Sequence, residues 1–189
     1  PIYTKVSGSL DNGSLLSFTW TYNDRVAIYP GVDTKLEYVY EGETGATSGV
    51  LKAVAGGDYI FGGNSLEYNV AVLPYHKDRV RIEEGTLYMD FPQVQTYSSE
   101  GLNDGQFYMV DVTEPETRNL YFKSVGSYLI FTLYNTSTVE QPVRKIELIA
   151  NSKPLCGTFC IDLDDPIDYT AEYSSVGSTS ITLDMSGED

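Results

Sequence analysis

The sequence predicts an all-β fold, an antiparallel β-sandwich with little or no helix, on three observations. Short runs of alternating apolar and polar residues recur along the chain. No long segment places apolar residues at i, i+3, i+4 and i+7, and Gly, Pro, Asn, Ser and Thr interrupt throughout. Tyr is abundant, at 16 residues, and its amphipathic ring suits strands and half-buried sheet faces.

Taken in order, Leu15–Trp20 alternates toward a Phe or Trp face, and Asp24–Tyr29 follows until Pro30-Gly31 stops it. Leu36–Tyr40 alternates again and runs into a Gly/Thr/Ser-rich loop from Glu41 to Gly49. Val50–Val54 and Leu66–Val72 are separated by the turn-forming Gly56-Gly57 and Gly62-Gly63-Asn64. Arg79–Ile82 and Leu87–Phe91 flank Glu83-Glu84-Gly85, the pattern of a hairpin with a glycine in its turn. The clearest strand is Tyr128–Tyr134, with Leu129, Phe131 and Leu133 facing the core and Tyr128, Thr132 and Tyr134 facing away. Val143–Ala150 is its natural partner across the polar loop Asn135–Gln141. Tyr169–Tyr173 and Ser180–Met185 read as two further strands.

Length and charge bound the rest. The 189 residues fit one β domain, residues 1–189, large enough to bury a core without metals or disulfides. Its last strands, within 169–189, are read as leading into a C-terminal domain outside this chain. The start at Pro1 is read as that of a processed form whose export signal has been removed. Asp and Glu total 27 against 12 Lys and Arg, and this field repels phosphate backbones, so nucleic acid is not an expected partner. No run approaches the ~20 apolar residues of a membrane-spanning helix.

The search for chemistry assigns no catalytic, cofactor-binding or metal-ligating residue, and no cofactor is expected. His76 is the single histidine, which removes any two-histidine metal site. No Gly-x-Ser-x-Gly elbow accompanies it, so it reads as an exposed loop histidine. The acidic run Asp162–Asp168 offers hard oxygen ligands for Ca²⁺ but lacks the glycine and closing Glu of an EF-hand. A solvated acidic turn outweighs the calcium reading. Cys156 and Cys160 lie four residues apart, about 13 Å if extended and too far for a disulfide; a turn at Gly157 would bring them closer. Glu83-Glu84 reads as a charged hairpin tip rather than half of a glycosidase pair, and Trp20 as core rather than a sugar platform. The Tyr-rich loops around Tyr97 and Tyr108 are the better candidates for contact surfaces.

The order of motifs carries a resemblance. Trp20 with Asp24–Ile28 comes first, then Tyr68–Tyr75, then Pro92–Gln95 with Asp104–Val110. Val125–Leu133 follows, and Val143–Leu148 with Pro154–Gly157 closes the series. Over Trp20 to Gly157 this is similar to the N-terminal domain of the fimbrillin-like proteins of Bacteroides and relatives. Val72-Leu73 and Tyr108–Val110 depart from the usual family pattern.

The resemblance implies a transthyretin-like (Greek-key) sandwich and a lipid-anchored outer-membrane precursor at the cell surface or in a fimbrium. It implies assembly with other pilus subunits after an Arg- or Lys-specific protease trims the N-terminus, for which Lys5 is one possible position. The physics is strand addition: main-chain pairing gives affinity, and alternate side chains give specificity. The expectation is therefore a non-enzymatic pilus or adhesion subunit, with host or bacterial surface ligands as further partners. A carbohydrate-binding module of a glycan-uptake system is the alternative, and a hydrolase a distant third.

Overall fold

A computed structural model describes residues 7–11, 15–31, 34–55, 68–98, 106–163 and 171–187. The chain is all-β, as expected, with sheets packed face to face in the manner of a sandwich.

The largest sheet contains β3 (Arg25–Gly31), β4 (Thr34–Tyr40), β5 (Leu51–Ala53), β6 (Asn69–Leu73), β10 (Met109–Thr113) and β11 (Lys123–Ser124). Its order is β11-β10-β6-β3-β4-β5, with antiparallel neighbours. A second sheet has the order β14-β13-β8-β7, built from β7 (Val80–Glu83), β8 (Thr86–Phe91), β13 (Cys156–Asp162) and β14 (Glu172–Ser178). The β7–β8 hairpin closes through Glu84 and Gly85, with φ of 49° and 78°; two consecutive positive values match the right-handed twist of the strands they join.

The two sheets enclose the main core. Tyr29, Val70, Val72 and Val110 from the first meet Ile82, Leu87, Met89 and Ile161 from the second. The first sheet is apolar on its other face as well, where Val26, Ile28, Ala71, Leu73 and Met109 form a second cluster. Strands β3 and β6 are consequently buried on both faces, which explains why Asn69–Leu73 is a nearly continuous apolar run rather than an alternating one.

The remaining strands are peripheral. β1 (Ser7–Asp11) pairs with β2 (Leu15–Thr19). A three-stranded sheet has the order β12-β15-β9, from β12 (Lys145–Ile149), β15 (Ser180–Asp184) and β9 (Val94–Thr96). The β15–β9 pair is parallel, a departure from the fully antiparallel expectation.

Three sequence expectations need correction. Pro30-Gly31 does not stop β3; the strand runs to Gly31, and a register shift between Ile28 and Gly31 accommodates the proline, which has no N–H to give. Tyr128–Tyr134 forms no strand. Its alternation is real, but among the described residues it lies along no sheet edge; Leu129, Phe131 and Leu133 are exposed instead of core, and Tyr128, expected to face away, packs on the second cluster and on Phe18 at 5.5 Å. Residues 145–149 do form a strand, but β12 pairs with β15 rather than with Tyr128–Tyr134. Residues 56–67 and 164–170, which hold the Gly-rich turns and the start of the Tyr169–Tyr173 expectation, lie outside the described residues.

Candidate functional site

The second apolar face of the six-stranded sheet is covered incompletely, and the opening is a groove of about 1210 Å³. Its floor is made by Ile28, Tyr38, Leu73 and Met109, all inward-facing strand positions on that side. One wall comes from Phe18 and Trp20, at and just beyond the end of β2. The main chain of Trp20 is pinned to the following loop, donating to the Ala46 carbonyl at 2.8 Å and accepting from Gly45 N–H at 2.8 Å. Its indole stacks on Tyr40 at 5.2 Å and meets Phe122 edge-on at 6.0 Å. Tyr40 itself runs beneath the loop so closely that a Cβ at Gly49 would fall 2.1 Å from its ring.

The opposite wall is the irregular segment 118–122. Leu120 and Phe122 pack onto the floor cluster, while Tyr121 points out and is 74% exposed. Asp111 on β10 fixes this wall by accepting the Tyr121 N–H at 2.7 Å. Burial pushes the Asp111 carboxyl upward, opposed by hydrogen bonds from the N–H groups of Tyr121 and Val112 and by the charge of Lys123. Polar groups at the mouth include Lys52, Arg118 and Asn119, with Lys52 ion-paired to Glu41. The groove thus offers an apolar, aromatic floor and a hydrogen-bonding rim. It can hold an extended chain or a flat amphipathic ligand.

A second constellation surrounds Lys35 on β4. Its ammonium donates to the carbonyls of His76, Lys77 and Val80 and lies over the rings of Tyr75 at 4.8 Å and Tyr29 at 5.7 Å. Burial pulls its pKa down to about 8, with Asp78 and Glu37 opposing. Carbonyls on several sides and two π faces satisfy an ammonium where it stands. The arrangement clips β4 to the loop after β6, a structural role.

The residues singled out from sequence are dispersed. His76, expected to be exposed, is half-buried; its Nδ1 accepts the N–H groups of Asp78 and Arg79, 3.3 and 3.1 Å away, and so caps its own turn. Cys156 and Cys160 sit along β13 as free thiols, and burial raises the pKa of each. Asp162 closes β13, whereas 164–168 of the acidic run lie outside the described residues; among those described, no group of three potential ligands gathers. Glu83 forms an ion pair with Arg81 at 2.8 Å at the edge of the hairpin.

Tyr97 is exposed, as a contact residue must be, but Tyr108 overturns its expectation. Tyr108 is fully buried, meets Phe91 edge-on at 4.8 Å, and donates its hydroxyl to the Asp90 carbonyl at 3.1 Å. Its neighbours on β10 alternate between two buried faces, and this leaves no outer side for it to occupy. Trp20 does pack against core, as read from sequence, and also forms a wall of the groove. The groove itself was not visible in the sequence, because its lining comes from segments around 18–20, 28, 38, 47–53, 73, 109 and 118–122. No family model, curated protein or solved structure matches the chain.

Proposed function

We propose that the chain is a structural or adhesive subunit of a bacterial surface pilus, a fimbrillin-like protein that assembles by strand addition at the outer surface of the cell. The observation that carries this reading is an apolar segment with strand alternation, Leu129–Tyr134, that has no strand beside it among the described residues and is exposed to water. Contiguous apolar surface of this kind marks a contact site, and an unpaired extended chain is the element that strand addition uses. The open groove adds a second apolar surface suited to an extended guest. Electron microscopy of the full-length protein before and after limited trypsin treatment tests the reading. Filaments that appear after cleavage are the expected result; single particles under every condition overturn it.

The rim of the groove favours one other reading, a surface carbohydrate-binding module. Exposed Tyr121 beside Arg118 and Asn119 combines an aromatic face with hydrogen-bonding groups, the usual composition of a ligand site. A glycan array decides it: saturable binding abolished by Tyr121→Ala supports the module, and no binding removes it.

A further inference from the structure

We propose that the groove on the second apolar face of the six-stranded sheet binds an aliphatic carboxylate, with a flexible hydrocarbon chain along its floor and the acid group on Arg118 at its rim. This site stands independently of the assembly and glycan readings above.

The walls are built into the fold. Among the described residues three polar side chains are buried, Asp24, Asn69 and Asp111, and each holds a wall. Asp24 accepts the Thr21 N–H at 2.8 Å, immediately after Trp20. Asn69 on β6 donates to the carbonyls of Glu114 and Pro115, at 3.3 and 3.0 Å. Asp111 accepts the Tyr121 N–H, so the irregular segment that carries Arg118 is tied to the sheet on both sides of it. Buried polar groups need partners. Here all three find them in the two segments that flank the groove, which sets the walls before a ligand arrives.

Charge selects the head of the ligand. The chain has 27 Asp and Glu against 12 Lys and Arg, yet among the described residues the groove is lined by Lys52 and Arg118 and by no acid. Lys52 is already ion-paired with Glu41. Arg118 is exposed and makes no ion pair among the described residues. A guanidinium takes a carboxylate through two parallel hydrogen bonds, and a single unpaired cation matches a monoanion. Asn119 beside it adds an amide donor.

Shape selects the tail. Ile28, Leu73 and Met109 give the floor an aliphatic surface on which each buried methylene adds to affinity. Trp20 and Phe122 from opposite walls meet with ring centroids 6.0 Å apart. No fused ring system passes between them, whereas a chain that bends follows the floor around them. The volume of about 1210 Å³ has room for a long chain.

The test titrates the protein with three amphiphiles that share a tail and differ in the head: dodecanoate, dodecanol and dodecyltrimethylammonium, each below its micelle concentration. Binding is read by calorimetry and by the emission of Trp20, the chain's one tryptophan, which stands in the groove wall. The net charge of −15 by itself favours the cationic head, so a nonspecific surface and this site give opposite orders. Dodecanoate should bind saturably and about tenfold more tightly than either of the others, the worth of a charge-assisted hydrogen bond. Arg118→Gln, at an exposed position, should bring dodecanoate to the level of dodecanol and leave dodecanol unchanged. Absence of saturable binding overturns the site. Any other order of heads overturns it too, as does an acid preference that survives Arg118→Gln.

Discussion

Asn69–Leu73 and Tyr128–Tyr134 are both short, uncharged, apolar runs, yet they meet opposite fates. The first is β6, buried at every position between β3 and β10. The second is exposed from Leu129 onward, with Tyr134 at 84%. Composition does not separate them. What separates them is the presence of hydrogen-bonding edges on both sides and an apolar cluster on each face. Burial is thus a property of the site a strand occupies, and a strand-like sequence states only what it would bury if a site were supplied.

The strongest way to break this contrast is to cut the doubly buried sheet. Ile28→Ala, at 1% exposure on the groove side of β3, should lower stability by about 2 to 5 kcal/mol in chemical denaturation. Next in size is Asp111→Ala, which leaves the Tyr121 N–H without its acceptor and should cost about 1 kcal/mol. It should also raise hydrogen exchange across 119–122, the wall of the groove; an unchanged exchange pattern would mean that Asp111 does not hold it. Phe131→Ala sharpens the contrast from the other side. In the dilute monomer it should change stability by no more than about 0.5 kcal/mol, as exposed positions do. A large loss there would place the segment in a core.

A pH dependence at Lys35 tests the packing from a different side. Its pKa is lowered from 10.5 to about 8, so between those values the unfolded chain binds more protons than the folded one. Stability should therefore rise with pH across that window, and Lys35→Met should flatten the rise in denaturation midpoints measured from pH 7 to 11.

Much of the strand content was legible because alternation and turn chemistry are local. The hairpin at Glu84-Gly85 needed two strand patterns and a residue pair that accepts positive φ, all within 80–91. Pairing over distance was not legible. Nothing near Lys145–Ile149 points to Ser180–Asp184, and the adjacent Tyr128–Tyr134 was the better local match. The burial of Tyr108 was hidden for a related reason: a Tyr in a polar stretch looks like a contact residue until both faces of its sheet are known to be covered. The groove is assembled from seven separate stretches of chain, so no window of sequence contains it.

The position of β15 has a consequence for the order of events during synthesis. It is the central strand of its sheet, between β12 and β9, yet it is the last strand of the described chain. A ribosome delivers Val94–Thr96 and Lys145–Ile149 well before Ser180–Asp184, and neither has its sheet partner until those final residues emerge. The six-stranded sheet has all its strands by Ser124 and can assemble earlier, and the second sheet can begin from the β7–β8 hairpin. This sheet must wait, held open by its own topology, and a nascent chain arrested before Ser180 would carry two exposed strands with nothing to join them.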